Sequence, residues 1–207
     1  MLASRRAWTG FAVVAGVLYA ADQFSKRAAV EHLSDRDEDI QVVGDLLQLH
    51  LTRNPGAAFS LGTEFTVGLT CLAIVATVVV LVVSRKLVDR VWAAGLGSLL
   101  AGITGNLTDR MLREPGPFRG HVIDFLQLPN WPIFNIADIA INLGAGLILL
   151  QVFRGIRMDG TRHPNDADDA ADAAEAAAAD ETDGTGKARG MGETDAAAGD
   201  ATAEDAE

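Results

Sequence analysis

The sequence predicts an all-α membrane protein: a four-transmembrane-helix bundle with a small extracytoplasmic β platform and a disordered C-terminal tail. Three observations carry that reading. Four apolar stretches approach the roughly 20 residues that a helix needs to cross a hydrocarbon core. Lys and Arg cluster at alternate ends of these stretches. The acidity of the chain, a formal net charge of −11 over 207 residues, is confined to its end. Residues 159–207 hold 15 acids and three bases (Arg162, Lys187 and Arg189), whereas residues 1–158 hold 13 acids and 14 bases. The averages describe an acidic soluble protein; the distribution describes a nearly neutral apolar unit, residues 1–158, followed by an acidic Ala-rich tail, residues 159–207.

The first span, about residues 7–24, follows Arg5 and Arg6. It also reads as a cleaved signal peptide. Asp22, Gln23, Ser25 and Lys26 follow at once, with no small-x-small cleavage site, which favours an uncleaved anchor. The second span, residues 65–83, has no charge; the third, residues 91–107, is rich in Gly and Ala. The fourth, residues 133–153, is interrupted by Asn135, Asp138 and Asn142. Arg5 and Arg6, then Arg85, Lys86 and Arg90, then Arg154, Arg157 and Arg162 fall on one side if all four spans cross. That side is cytoplasmic by the Lys/Arg bias, so both termini lie inside and residues 25–64 and 108–132 face outside.

Within the outer loops, residues 47–52 alternate apolar and polar, a strand signal, and residues 121–126 form a second short β-like run. Trp131 and Phe134 bracket the start of span four, where aromatic rings favour the interface. Beyond Asp159 the chain lacks aromatics and cannot bury enough apolar surface to offset ordering entropy; residues 170–179 alone have good helix propensity. The single cysteine, Cys71, excludes an intrachain disulfide and a multi-thiolate zinc site. No basic tract suggests nucleic-acid binding, and the tail opposes it.

Five polar segments then need an explanation, and the topology gathers all of them at the outer face. They are Asp22–Lys26, Asn54–Ser60, Gly102–Arg110, Val122–Phe125 and Phe134–Asp138. Asp138 lies about five residues into span four, where a lone carboxylate is costly and must be protonated, paired or wetted. Asn135 and Asn142, at i−3 and i+4, share its face and point that stripe into the bundle. Taken singly, each segment has a plain reading: helix glue for Asp138, a turn at Asn54, an interfacial pair at Asp109 and Arg110, a helix-end pair for Asp22 and Lys26. A proton relay in a transporter is the main functional rival.

The five segments together resemble the lipoprotein signal peptidases, also called signal peptidase II or prolipoprotein signal peptidase. Order and spacing match over about residues 8–153. The matching patterns are D-x-x-[ST]-K at Asp22–Lys26, N-x-G-A-A-F at Asn54–Phe59, G-N-x-x-D-R at Gly105–Arg110, V-x-D-F at Val122–Phe125 and F-N-x-A-D at Phe134–Asp138. Ala101 and Ile103 depart from the Gly and Ala often found there in the family.

The resemblance implies an aspartyl endopeptidase of the bacterial inner membrane. Such enzymes remove the signal peptide of a diacylglyceryl-modified prolipoprotein on the amino side of its lipidated cysteine. It implies Asp124 and Asp138 as the catalytic pair. Asn54, Asn106, Arg110 and Asn135 would bind the substrate backbone or order the site, and Gly56 and Ala57 would leave room for the peptide. Asp22 and Lys26 would tie the first helix to the site, and Asp109 would position Arg110. Two carboxyls sharing a site suit the chemistry, because one stays protonated while the other accepts a proton. No metal or other cofactor is required. The partners implied are the prolipoprotein and membrane lipid; the tail receives no identified partner.

Overall fold

The computed structural model describes residues 2–36, 38–56 and 62–162. The expectations for the tail beyond Arg162, including residues 170–179, and for Ala57 lie outside the described residues. The elements run α1 (Leu2–Leu33), β1 (Ile40–Val43), β2 (Leu47–Asn54), α2 (Gly62–Ser84), α3 (Arg90–Leu112), β3 (Val122–Gln127) and α4 (Ile136–Phe153). The chain is thus mostly helical with a small sheet. Two helices are by length and composition able to cross a membrane: α2 over Thr66–Ser84, mean hydropathy 2.7, and α4 over Ile136–Phe153, mean hydropathy 1.9.

Helices α1 and α3 run past their expected spans at the ends that carry the polar segments. Polar Asp22 and Lys26 were expected to close the first helix near residue 24. They are instead 1% and 0% exposed and paired with each other at 2.9 Å. A buried pair at i,i+4 continues a helix rather than ending it. The extension to Leu33 packs Ala29 and Leu33 against Ile123 and Phe125 of the sheet. Likewise α3 runs five residues past the expected end, so Asn106, Asp109 and Arg110 are helical.

Helix α3 sits at the centre and touches each of the other three. Small residues permit this, because they let backbones approach where side chains would hold them apart. A Cβ on Gly97 would lie 2.7 Å from the Phe11 carbonyl of α1; one on Gly102 would lie 2.3 Å from the Ala137 carbonyl of α4. From the other side, a Cβ on Gly144 of α4 would meet the Gly95 carbonyl at 2.7 Å.

The burial pattern is inverted relative to a water-soluble fold. Asp22, Lys26, Asp109, Asp124 and Asn135 are buried, while Leu72, Val75, Val78 and Val82 of α2 and Leu143 and Phe153 of α4 are exposed. Apolar groups outside and paired charges inside are what a lipid solvent selects.

The sheet is antiparallel in the order β1-β2-β3. Both expected strands form, and Ile40–Val43 adds a third that its short, mixed sequence did not signal. Thr52 lies opposite Asp124 and Asn54 opposite Val122, with an irregularity between Leu49 and Thr52. After β3 the chain turns back. The Phe125 and Leu126 amides donate to the Phe134 carbonyl at 3.0 and 2.8 Å, and the Phe134 amide donates to the Leu126 carbonyl at 3.0 Å. That exchange places the first turn of α4 beside the middle of β3.

At the opposite end of the bundle, Asp89 caps α3. Its side chain accepts from the Val91 and Trp92 amides and from Gln151 Nε2. The Met158 carbonyl accepts from the Val88 and Asp89 amides, which ties the segment after α4 to the α2–α3 connection.

Gly102→Ala is expected to cost about 1–3 kcal/mol by forcing α3 away from α4. Gly68→Ala, where a Cβ meets nothing within 4 Å, serves as the control and loses nothing. Thermal unfolding in detergent measures both; equal melting temperatures would contradict the close packing.

Candidate active site

Asp124 and Asp138 come together because Asn135 touches both. Asn135, fully buried, is the N-cap of α4 in extended conformation, and Asp138 is the third residue of that helix. The two form a capping box. The Asp138 amide donates to Asn135 Oδ1 at 3.0 Å, and the Asn135 amide donates to Asp138 Oδ2 at 3.1 Å. Such boxes satisfy backbone donors that a helix start leaves free. Asn135 Nδ2 then donates to Asp124 Oδ1 at 2.6 Å. Asp138 therefore lies in the first helical turn, not five residues deep as expected. The local reason is that Asn135 stops the helix from starting at residue 133.

Two further asparagines complete the pair. Asn54, at the end of β2, donates from Nδ2 to Asp124 Oδ2 at 2.8 Å. Asn106, on α3, donates from Nδ2 to Asp138 Oδ1 at 2.9 Å. Each carboxylate oxygen thus receives one N–H. Every amide is held the right way round by a donor on its own oxygen. Gly56 N–H donates to Asn54 Oδ1 at 2.8 Å; Lys26 Nζ donates to Asn106 Oδ1 at 2.9 Å; the Asp138 amide holds Asn135 Oδ1. Gly56 sits at φ +110°, a conformation that glycine adopts without a Cβ clash.

Lys26 is the hub behind the pair. An ammonium has three donors, and here they reach Asp22 Oδ2 at 2.9 Å, Asp109 Oδ2 at 2.8 Å and Asn106 Oδ1 at 2.9 Å. Asp22 Oδ1 accepts from the Ala137 amide of α4 at 2.9 Å. Asp109 accepts from Arg113 and from the Ile123 amide of β3. Asp109 was expected to position Arg110; its hydrogen bonds go to Lys26, Arg113 and Ile123 instead. The i,i+4 spacing of Asp109 and Arg113 was the sequence signal for that pair.

Arg110 lies in the field of Asp124, Asp109 and Asp138, and its Nη1 is buried without a hydrogen-bond partner among the described residues. Asn142 does not join the inward stripe. It is exposed and donates to the Asp138 carbonyl at 2.9 Å. Thr66 of α2 was not anticipated; its hydroxyl donates to the Pro55 carbonyl at 2.6 Å.

Burial pushes the Asp124 carboxyl up from the ordinary 3.8 to about 6, and the charge of Asp138 adds to that push. Hydrogen bonds from Asn54 and Asn135, and the charge of Lys26, act in the opposite direction. The arrangement is thus two carboxyls, one of which burial biases toward its protonated form, with a buried guanidinium nitrogen of Arg110 in their field. Such a set can pass a proton in each direction without a metal.

The family model described as signal peptidase (SPase) II matches residues 14–154. The lipoprotein signal peptidase of Rhodococcus jostii is 43% identical over 72% of this chain and 75% of its own length. That of Streptomyces griseus is 46% identical over 72% of this chain and 76% of its own. A solved bacterial membrane enzyme, 24% identical, superposes with a TM-score of 0.61 over 68% of this chain and 90% of that one, which extends the likeness to the fold.

The raised value for Asp124 has a definite consequence for stability. Between pH 3.8 and about 6 the folded chain keeps a proton that the unfolded chain has lost. The stabilisation from this group is full below 3.8 and is lost as pH rises through about 6. Infrared difference spectra are expected to show a carboxyl band titrating near pH 6 that Asp124→Asn removes, together with a flatter melting temperature over that range. A band that persists in Asp124→Asn would assign the proton elsewhere.

Proposed function

Because this chain belongs to the signal peptidase II family, and so is a membrane protease that removes signal peptides from prolipoproteins, we propose that it does so as an aspartyl endopeptidase with Asp124 and Asp138 as the catalytic pair. The observation that carries the proposal is the sharing of Asn135 between the two carboxyls, with an amide donor on each of their oxygens. The substrate is a diacylglyceryl-modified prolipoprotein, cut on the amino side of the lipidated cysteine.

The chemistry follows from one shared proton. The ionised carboxylate takes a proton from water as the water oxygen bonds to the scissile carbonyl carbon. The protonated partner donates to the carbonyl oxygen. Collapse of the tetrahedral species breaks the C–N bond, and the amine leaves with a proton returned from the pair. Arg110 Nη1, a donor without a partner, suits a substrate carbonyl. Asn54, Asn106 and Asn135 hold the carboxyls in register. Gly56 leaves room for the peptide, and Asp22 and Lys26 keep α1 docked behind the site.

The setting is the bacterial inner membrane, crossed by all four helices, with both termini cytoplasmic and the site at the outer face. Residues 1–158 are the peptidase and residues 159–207 a cytoplasmic extension. The lipid of the substrate then stays in the bilayer while its peptide enters at membrane level, where two apolar helices already present lipid-facing surface.

Cleavage of a diacylglyceryl-modified prolipoprotein by purified protein is expected to fall by at least about 10³-fold in Asp124→Asn and in Asp138→Asn, each folded, since both proton transfers are lost. Turnover near wild type in either variant refutes the pair. For topology, the exposed Asp45 and Lys86 are changed separately to cysteine in a Cys71→Ser background. An impermeant thiol reagent added to intact cells should label the first and spare the second; the reverse pattern inverts the orientation.

A further inference from the structure

Helix α2 is nearly all lipid-like on its surface, yet its outer half buries two residues, Thr66 at 1% and Thr70 at 0% exposure. Threonine hydroxyls in helices ordinarily bond back to the carbonyl four residues earlier. Thr9, Thr70, Thr77, Thr104 and Thr108 all do so. Thr66 does not. Its hydroxyl leaves the helix and donates to the Pro55 carbonyl at 2.6 Å.

That carbonyl belongs to the same peptide plane as the Gly56 N–H, which donates to Asn54 Oδ1 at 2.8 Å. A peptide unit is rigid and planar, so its C=O and N–H point in opposite directions and turn together. Thr66 grips one end of the plane and Asn54 the other. Gly56, at φ +110°, is the residue with the widest conformational freedom at this junction. Without the grip, rotation of the plane would turn the carbonyl toward Asn54 Oδ1. The Asn54 amide would then lose the Gly56 contact that helps to hold its Nδ2 on Asp124 Oδ2.

We infer that Thr66 is a positioning residue: by fixing the Pro55–Gly56 peptide plane it keeps the Asn54 amide aimed at Asp124. The remaining contacts of Asp124 come from other elements. Asn135 belongs to the α4 cap, and the charges of Asp138, Lys26 and Arg110 come from α4, α1 and α3. Loss of the Thr66 hydroxyl therefore removes one specific hydrogen bond from Asp124 and leaves the rest. Thr70 is the natural comparison. It is equally buried and also reaches a loop carbonyl, that of Phe118 at 3.0 Å, but it meets Thr66 only at the backbone carbonyl, at 2.8 Å, and makes no bond to the Pro55–Gly56 peptide plane.

Thr66→Val removes the hydroxyl and keeps the branched shape; Thr66→Ser keeps the hydroxyl; Thr70→Val removes the other anchor. In Thr66→Val the Asp124 infrared midpoint is expected to rise by about one pH unit, since a bond favouring the ionised form is lost. The value of kcat/KM should fall by about tenfold, mostly in kcat, while the melting temperature stays near that of Thr70→Val. Thr66→Ser should restore both the midpoint and the rate, and Thr70→Val should leave the midpoint unmoved. A Thr66→Val protein with the wild-type midpoint overturns the inference, whatever its activity. So does a Thr70→Val protein that reproduces the shift. Only the kinetic arm rests on the proposed reaction of Asp124: if Asp124→Asn still cleaves, that reading fails, and the infrared midpoint still tests the tether.

Discussion

The ammonium of Lys26 sets the terms for the rest of the structure. An unpaired cation in an apolar bundle is too costly to keep, and a buried one persists only where charges and acceptors meet all of its donors. The three partners of Lys26 come from two helices, Asp22 from α1 itself and Asp109 and Asn106 from α3. Those partners have second contacts: Asp22 takes the Ala137 amide at the start of α4, and Asp109 takes the Ile123 amide of β3. One charge thus specifies where α1, α3, α4 and β3 meet. Removing one member of such a network leaves the others uncompensated, at about 3–5 kcal/mol. This is why a lysine lies behind the Asp124 and Asp138 carboxyls, joined to them through Asn106.

A carboxyl pair works only if each oxygen faces the right partner, and here asparagine supplies that control. An amide side chain carries an acceptor and a donor on one rigid group. Pinning its oxygen therefore aims its nitrogen. Lys26 does this for Asn106, Gly56 for Asn54, and the helix start of α4 for Asn135. Aspartate in any of these places would present oxygen to the carboxyls and repel them. The pair is held by groups that stabilise the charged form, while burial and mutual repulsion favour the neutral one. A carboxyl near pH 6 is the balance of the two.

The inverted burial of the molecule explains where sequence reading succeeded and where it slipped. The five polar segments stood out because they interrupt apolar spans, and all five converge in space. Strand periodicity at residues 47–52 was legible because Leu49 and Leu51 pack against the apolar cluster while His50 between them is exposed. Helix ends were less legible. Polar residues normally mark an exit from the hydrocarbon, yet Asp22, Lys26, Asn106 and Asp109 are paired inside the protein, so α1 and α3 continue beyond them. Asn135 behaved in the opposite way. As an N-cap it begins α4, which puts Asp138 in the first turn.

The sequence by itself determined the family, the polar segments that form the site, and the separation of an apolar unit from an acidic tail. These depend on residue identity, order and spacing, which short motifs carry in full. Only the tertiary structure decided who bonds to whom: that Asp109 serves Lys26 rather than Arg110, that Asn135 belongs to both carboxyls at once, and that Thr66 holds a peptide plane eleven residues away. Those pairings are choices among several chemically equivalent donors and acceptors. No local pattern ranks such choices. They are settled when the small residues of α3 bring the backbones close and each buried polar group must take a partner within reach.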